Sequence, residues 1–160
     1  MRFLTRFILM TVATYAGTTL LAPISILGWD IDIGLLALVL IGSYSNGRTT
    51  VGWGAYSGFL IDCLDPRWMG AGIVARATTA LFLSTMHEKL NIEHPFLDGA
   101  VIFLAGIIDR SIYLVLTRYR VSFLYTLWRY IIPASAYTAI FAIVLIIIYR
   151  FRHLLKPRII

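Results

Sequence analysis

Four charged residues stand within long apolar stretches of this sequence, where any chemistry or ion pairing would concentrate. They are Asp62, Arg76, Asp109 and Arg110. A charge in an apolar environment is costly unless an opposite charge or hydrogen bonds neutralise it. Two acids and two bases can neutralise one another, so we expect these side chains to form one polar cluster in which Asp62 pairs with Arg76. Such a cluster serves either as a structural core or as part of a functional pocket.

A serine nucleophile is the first enzymatic possibility, because the run GAYSG surrounds Ser57. A serine nucleophile needs a base within reach and an oxyanion hole. The histidines are His87, His94 and His153, and all three lie outside the apolar stretches. No base is therefore expected near Ser57, and helix packing is the better explanation of this run.

Acid pairs and metal ligands give no stronger enzymatic signal. Asp62 and Asp109 are the deepest pair of carboxylates, but neither stands in the glycine-rich frame of an aspartyl protease, whose acids share one water. His87, Glu88 and His94 could each bind a metal, yet the two histidines are not at the i, i+4 spacing of a helical zinc site. We expect no catalytic residues, no metal site, no cofactor and no enzymatic activity.

The composition identifies the surroundings of these residues. Of 160 residues, 59% are hydrophobic and only 14% are charged, with a mean hydropathy of +0.83. Soluble domains are about 25% charged, and a soluble domain of this size could not bury so much apolar surface. A single cysteine, Cys63, excludes a disulfide scaffold. The composition predicts an all-α integral membrane protein.

The hydropathy pattern divides the chain into six apolar segments. Segments 7–29 and 130–149 contain no Asp, Glu, Lys or Arg, and about 20 apolar residues suffice to cross a bilayer. We expect a single transmembrane domain over 1–160, a six-transmembrane-helix bundle with a hydrophilic loop at 87–95 and a possible bend at Pro133. The predicted spans are about 5–28, 33–46, 49–64, 69–86, 96–117 and 125–149.

The positive charges predict the orientation, because Lys and Arg concentrate in cytoplasmic loops. With both termini cytoplasmic, the inner set is Arg2, Arg6, Arg48, Lys89, Arg150, Arg152, Lys156 and Arg158, and the outer set is Arg67, Arg118, Arg120 and Arg129. This orientation places the polar cluster in the outer half of the bilayer, and it leaves the basic C-terminal tail either to bind anionic lipid headgroups or to act as a stop-transfer anchor. The net charge of +6 then reflects topology, and no nucleic-acid partner is expected.

Small residues mark the faces where helices would approach closely. Gly54 and Gly58 share one face of the third predicted helix, Ala13 and Gly17 share one face of the first, and Gly70 opens the fourth. Small residues four apart allow close backbone contact between membrane helices. We therefore expect these five positions to be helix-packing or partner interfaces.

One of these segments resembles a known family. The pattern Gly58-Phe59-x-x-Asp62-x-Leu64, followed by Gly70, is similar to the end of a glycine-rich span in the rod shape-determining protein MreD family. The acidic pair Asp30-x-Asp32 before the second predicted helix is also similar to the pattern of that family.

The resemblance implies a function that composition alone does not show. MreD-like proteins are non-enzymatic scaffold subunits of the bacterial elongasome, which directs lateral peptidoglycan synthesis and rod cell shape. They reside in the cytoplasmic membrane and bind MreC, and through it RodA, a class B penicillin-binding protein and MreB.

The family's six-helix bundle is similar to that of the S-components of ECF transporters. This similarity implies an alternative function, the binding of a small molecule for a transporter. An S-component would bind a vitamin in an outward-facing pocket and dock on an energising module through small residues such as Ala13 and Gly17. The short outward loops argue against this alternative, because they leave little to close over a ligand.

Overall fold

The regular elements of the described part of the chain are all helices. The computed structural model describes residues 2–20, 30–43, 45–89, 95–117 and 122–154, and within these ranges every regular element is a helix. The predicted all-α fold class is therefore confirmed. The helices are α1 (Arg2–Tyr15), α2 (Ile33–Ser43), α3 (Gly47–Leu64), α4 (Ala71–Lys89), α5 (Pro95–Thr117), α6 (Phe123–Thr126) and α7 (Ile132–Leu154). One π-helical turn, Ala16–Leu20, extends α1, and another, Leu127–Ile131, joins α6 to α7. A 3₁₀ turn, Pro66–Trp68, follows α3.

The helix ends follow from local chemistry. The Asp32 side chain accepts a hydrogen bond from the backbone N–H of Leu35 at 2.8 Å and so caps the start of α2. Pro66 lies two residues after the end of α3 at Leu64, where its ring and missing N–H do not allow the helix to continue. Gly70 has φ of +103°, a conformation that favours glycine, and turns the chain into α4.

Successive helices run in alternating directions between two ends of the bundle. At one end, the Arg6 Nη1 at the start of α1 donates to Ser45 Oγ between α2 and α3 at 3.0 Å. At the other end, one cavity is lined by the end of α1, the residues before α2, the end of α3, the first part of α4, the end of α5 and α6. We call these the Arg6 end and the cavity end.

The short helix α2 lies at the centre of the packing. Its Leu35 and Leu38 are almost fully buried in a core cluster with Met10 of α1, Leu83 of α4 and residues of α3 and α5. On another side of α2, Leu36 packs against a second cluster from α5 and α7. Helix α2 therefore packs against α1, α3, α4, α5 and α7, whereas its Leu40, at 57% exposure, faces outward.

The apolar surface supports a membrane location. In the described residues, Leu97–Thr117 and Phe123–Ile148 are long and apolar enough to cross a membrane, and Ile33–Gly42 is apolar but shorter. Large apolar side chains also face outward, including Leu124 at 67% exposure and Trp128 at 72%. Exposed apolar surface on this scale is unusual in a soluble monomer.

Both ends of the predicted loop at 87–95 are helical. Helix α4 continues to Lys89 and α5 begins at Pro95, so residues 87–89, predicted as loop, are helical. The reason is local: Glu and Lys are good helix formers, and proline is favoured at the first position of a helix. His87 lies in the last turns of α4, with its Nδ1 3.0 Å from the carbonyl oxygen of Leu83.

Some of the predictions fall on residues outside the described ranges. They concern the end of the first span at 21–29, the loop residue His94, and the basic residues Arg118, Arg120, Lys156 and Arg158.

Candidate functional site

The buried Arg76 of α4 lies at the centre of a cluster of charged side chains. Arg76 is only 3% exposed. Its Nη2 donates to the carboxylate of Asp32, and its Nε lies 3.4 Å from Asp109 Oδ1. One guanidinium therefore links α4 to the start of α2 and to the middle of α5. A buried arginine between two carboxylates has the opposite charges that its burial requires.

Asp32 is the cluster member that the sequence-based prediction of four residues missed. Its carboxylate accepts a hydrogen bond from the Arg76 guanidinium and caps α2. Its backbone N–H donates to Thr138 Oγ1 of α7 at 3.4 Å. A signal was present in the sequence, since Asp32 directly precedes an apolar helix and belongs to the Asp30-x-Asp32 pair. An acid at a helix N-terminus is favoured by the cap and by the helix dipole.

Asp109 and Arg110 are adjacent in α5 and have different partners. Thr79 of α4 donates its hydroxyl to Asp109 Oδ1 at 3.4 Å, next to the ion pair with Arg76. Arg110 Nη2 donates to the backbone carbonyl oxygen of Asp30 at 2.8 Å. Both residues, like Arg76, line the cavity, so three of the four predicted cluster members do lie together.

Asp62 does not pair with Arg76, and that prediction is wrong. Its carboxylate, 1% exposed, accepts hydrogen bonds from the backbone N–H groups of Gly70 at 2.9 Å, Gly72 at 2.8 Å and Ile73 at 3.1 Å. The first N–H groups of a helix have no partner within the helix and carry partial positive charge. The start of α4 therefore supplies three donors directly beside Asp62, while Arg76 points to Asp32 and Asp109.

The glycines predicted as an interface form an internal contact between α3 and α4. A Cβ built on Gly58 would overlap the carbonyl oxygen of Gly72 and lie 2.6 Å from the Cα of Ile73. A Cβ built on Gly54 would lie 2.6 Å from the carbonyl oxygen of Arg76. The two backbones are thus nearly in contact, and Gly54 lies against the part of α4 that carries Arg76. Close approach of this kind requires glycine.

The other predicted interface positions also lie inward or at a turn. Ala13 is 6% exposed and belongs to the main core cluster. A Cβ built on Gly17 would lie 3.4 Å from the backbone nitrogen of Ile33, so this part of α1 faces α2. Gly70 has open space around it and acts through its positive φ and its N–H.

A cavity of about 530 Å³ opens beside the charged residues at the cavity end. Its lining combines charges, hydroxyl groups and apolar side chains. The lining residues are Thr14, Gly17, Thr18, Asp30, Ile31, Asp32, Ile61, Arg76, Asp109, Arg110, Tyr113, Leu114, Thr117, Thr126, Tyr130 and Ile131. Natural binding sites for small molecules have this kind of volume, about 300–1,000 Å³, and a similar mixture of groups.

Two donor nitrogens of the buried Arg76, Nε and Nη1, have no hydrogen-bond partner among the described residues. Nε lies 3.4 Å from Asp109 Oδ1 in the ion pair, which leaves Nη1 as the donor without an acceptor. Buried polar groups are nearly always paired, so an unpaired guanidinium nitrogen at a cavity indicates a place for an external acceptor.

The remaining candidate residues take part in packing. Ser57 is fully buried, and its Oγ lies 3.5 Å from Thr14 Oγ1 across α1 and α3. In the part of the chain that the structure describes, no group of three His, Cys, Asp or Glu residues could hold a metal ion. The arrangement at the cavity end is suited to binding polar groups of a ligand.

Comparison with known proteins finds no matching family model, curated protein or solved structure.

Proposed function

We propose that this chain is a multi-pass subunit of the bacterial cytoplasmic membrane, a non-enzymatic scaffold of the MreD type. In this role it helps to organise lateral peptidoglycan synthesis and rod cell shape. The observation that supports the proposal is the hairpin of α3 and α4, in which residues of the MreD-like pattern act together.

Each polar or small position of that pattern has a defined contact in the hairpin. Gly58 allows α4 to approach, Asp62 accepts hydrogen bonds from the N–H groups that open α4, and Gly70 provides both a turn and one of those donors. A pattern whose members form one contact acts as a structural unit. This supports the view that the resemblance reflects a shared hairpin.

The helix directions support a six-span arrangement with both termini in the cytoplasm. The chain alternates between the Arg6 end and the cavity end, and two of its helices are long and apolar enough to cross a membrane. Arg6 and Arg48 lie at the Arg6 end, whereas the acidic pair Asp30 and Asp32 lies at the cavity end. Positive residues favour the cytoplasmic side, so the Arg6 end faces the cytoplasm and the cavity end faces outward.

The surface available to a membrane partner is apolar rather than glycine-rich. Since α4 covers Gly54 and Gly58, a partner helix has to meet another face. Leu4, Ile8 and Val12 follow one another at four-residue spacing on α1 and are 63%, 54% and 59% exposed. We assign the single span of MreC to this face, and through MreC the chain would connect to RodA, a class B penicillin-binding protein and MreB.

Depletion of the chain in its host tests the scaffold function. On depletion, rod-shaped cells should become round. In a separate co-purification experiment, an Ile8→Arg substitution on the α1 face should prevent MreC from co-purifying with the tagged chain. Leu81→Arg is a matched control, because Leu81 is an apolar side chain of similar exposure, 57%, but lies on α4 and not on the α1 face. Unchanged cell shape after depletion would contradict the scaffold function.

The cavity favours a second candidate function, that of an S-component-like subunit which binds a small molecule such as a vitamin for an ECF-type transporter. Its volume and mixed lining suit such a ligand. Tight vitamin binding, together with co-purification of an ATPase module and normal cell shape, would support this candidate over the scaffold.

A further inference from the structure

We propose that the cavity binds one amphiphilic molecule whose head group carries both a hydrogen-bond-accepting oxygen and an ammonium group. The ethanolamine phosphate head of a membrane lipid has this chemistry, and so does the free zwitterion. The proposal goes beyond the scaffold function and does not depend on any partner protein.

The need for an acceptor comes from Arg76. Two of its nitrogens face Asp32 and Asp109, but Nη1 is buried without a hydrogen-bond partner among the described residues. A guanidinium nitrogen can only donate a hydrogen bond, so a ligand group that binds Nη1 has to be an acceptor. Phosphate and carboxylate oxygens are the acceptors that arginine binds most strongly.

The need for an ammonium group comes from the charge balance. Among the described residues that line the cavity, three are acids, Asp30, Asp32 and Asp109, and two are bases, Arg76 and Arg110. A ligand with only an anionic group would add to this excess of negative charge. A ligand that also carries an ammonium group places a positive charge among the carboxylates while its oxygen meets Arg76, so both ends of the head group are neutralised.

The need for an apolar portion comes from the other side chains of the lining. Ile61, Leu114 and Ile131 contribute apolar surface to the cavity beside the charges. The volume of about 530 Å³ accommodates a small head group and the first part of an attached chain, but not a whole lipid. The ligand therefore has a polar head bound within the cavity and a body that extends from it.

Binding to the purified, delipidated full chain tests the proposal. The probes are phosphatidylethanolamine, phosphatidylglycerol and free O-phosphoethanolamine, measured by native mass spectrometry and by the shift in thermal unfolding. We expect phosphatidylethanolamine to bind and to raise the unfolding temperature, with phosphatidylglycerol at least about tenfold weaker. Binding of O-phosphoethanolamine as well would identify a free zwitterion as a sufficient ligand, whereas binding of the lipid alone would identify the bilayer as the source.

Two tryptophan variants locate the binding site. Thr18 is exposed and lines the cavity, whereas its neighbour Thr19 is exposed and does not. Thr18→Trp should weaken phosphatidylethanolamine binding about tenfold or more by filling the cavity, and Thr19→Trp should leave binding unchanged. Arg76→Lys keeps the positive charge but removes the guanidinium fork, and should weaken binding as well.

Three results would overturn the proposal. They are equal binding of phosphatidylethanolamine and phosphatidylglycerol, no binding of any probe, and equal binding by the Thr18→Trp and Thr19→Trp variants. Because these measurements use the purified chain, their failure is distinct from a failure of the scaffold function, which is measured as cell shape.

Discussion

The Gly72 N–H donates to the Asp62 carboxylate at 2.8 Å, and this bond joins the last turn of α3 to the first turn of α4. Asp62 thus caps a helix that lies after it in the sequence, across a tight turn. The same hairpin holds Gly54 against the backbone of Arg76, so the position of the buried arginine depends on the contact between the two helices.

Removal of the Asp62 carboxylate should destabilise the hairpin. Asp62→Ala leaves three backbone N–H groups without their acceptor, and we expect the free energy of unfolding to fall by about 2–4 kcal/mol. Asp65→Ala is the control, because the exposed Asp65 side chain lies 3.9 Å from Arg67 in a surface ion pair that is worth less than about 1 kcal/mol. Denaturation of both variants in detergent measures the difference, and equal losses would contradict the capping role.

A methyl group at Gly58 should be much more harmful than one at Gly52. Gly58→Ala forces the new Cβ into the Gly72 backbone, with a cost of about 1–3 kcal/mol or more. Gly52 has no atom within 4 Å of a built Cβ, so Gly52→Ala should stabilise α3 by up to about 1 kcal/mol through helix propensity. Thermal unfolding of both variants checks the opposite signs, and a stable Gly58→Ala variant would argue against the close contact.

Loss of the Arg76 guanidinium should destabilise the fold, because two carboxylates lose the positive charge that neutralises them. Arg76→Met should lower the free energy of unfolding by about 3–5 kcal/mol, because the buried Asp109 and the partly buried Asp32 would face each other without the guanidinium. The double variant with Asp109→Leu should recover part of this loss. Arg67→Met, at an arginine whose side chain is 87% exposed, should cost less than about 1 kcal/mol. Urea or thermal denaturation orders the three variants, and an Arg76→Met variant as stable as Arg67→Met would rule out a central ion pair.

The orientation of the chain can be measured with single cysteines in a Cys63→Ala background. Arg67→Cys lies at the cavity end and Asn46→Cys at the Arg6 end, and both positions are exposed. An impermeant maleimide should label Arg67→Cys in intact spheroplasts and label Asn46→Cys only after the membrane is opened. The reverse pattern would place the termini outside.

Helical structure and the general position of the polar cluster could be predicted from the sequence, because both depend on local information. Long apolar segments favour helices, and proline and glycine mark ends such as those at Pro66 and Gly70. The expectation that buried charges neutralise one another also follows from the cost of burial alone, and Arg76, Asp109 and Arg110 do line one cavity.

The choice of partners was decided by the tertiary structure. Asp62 and Asp32 are both acids near helix ends, and residue type alone does not say which one meets Arg76. The close contact at Gly58 brings the free N–H groups of α4 to Asp62, while the rotation of α4 points Arg76 toward α2 and α5. The cavity, too, exists only where the ends of several helices meet. These features depend on how helices distant in the sequence are rotated and brought together, and hydropathy along a single chain carries no information on that rotation.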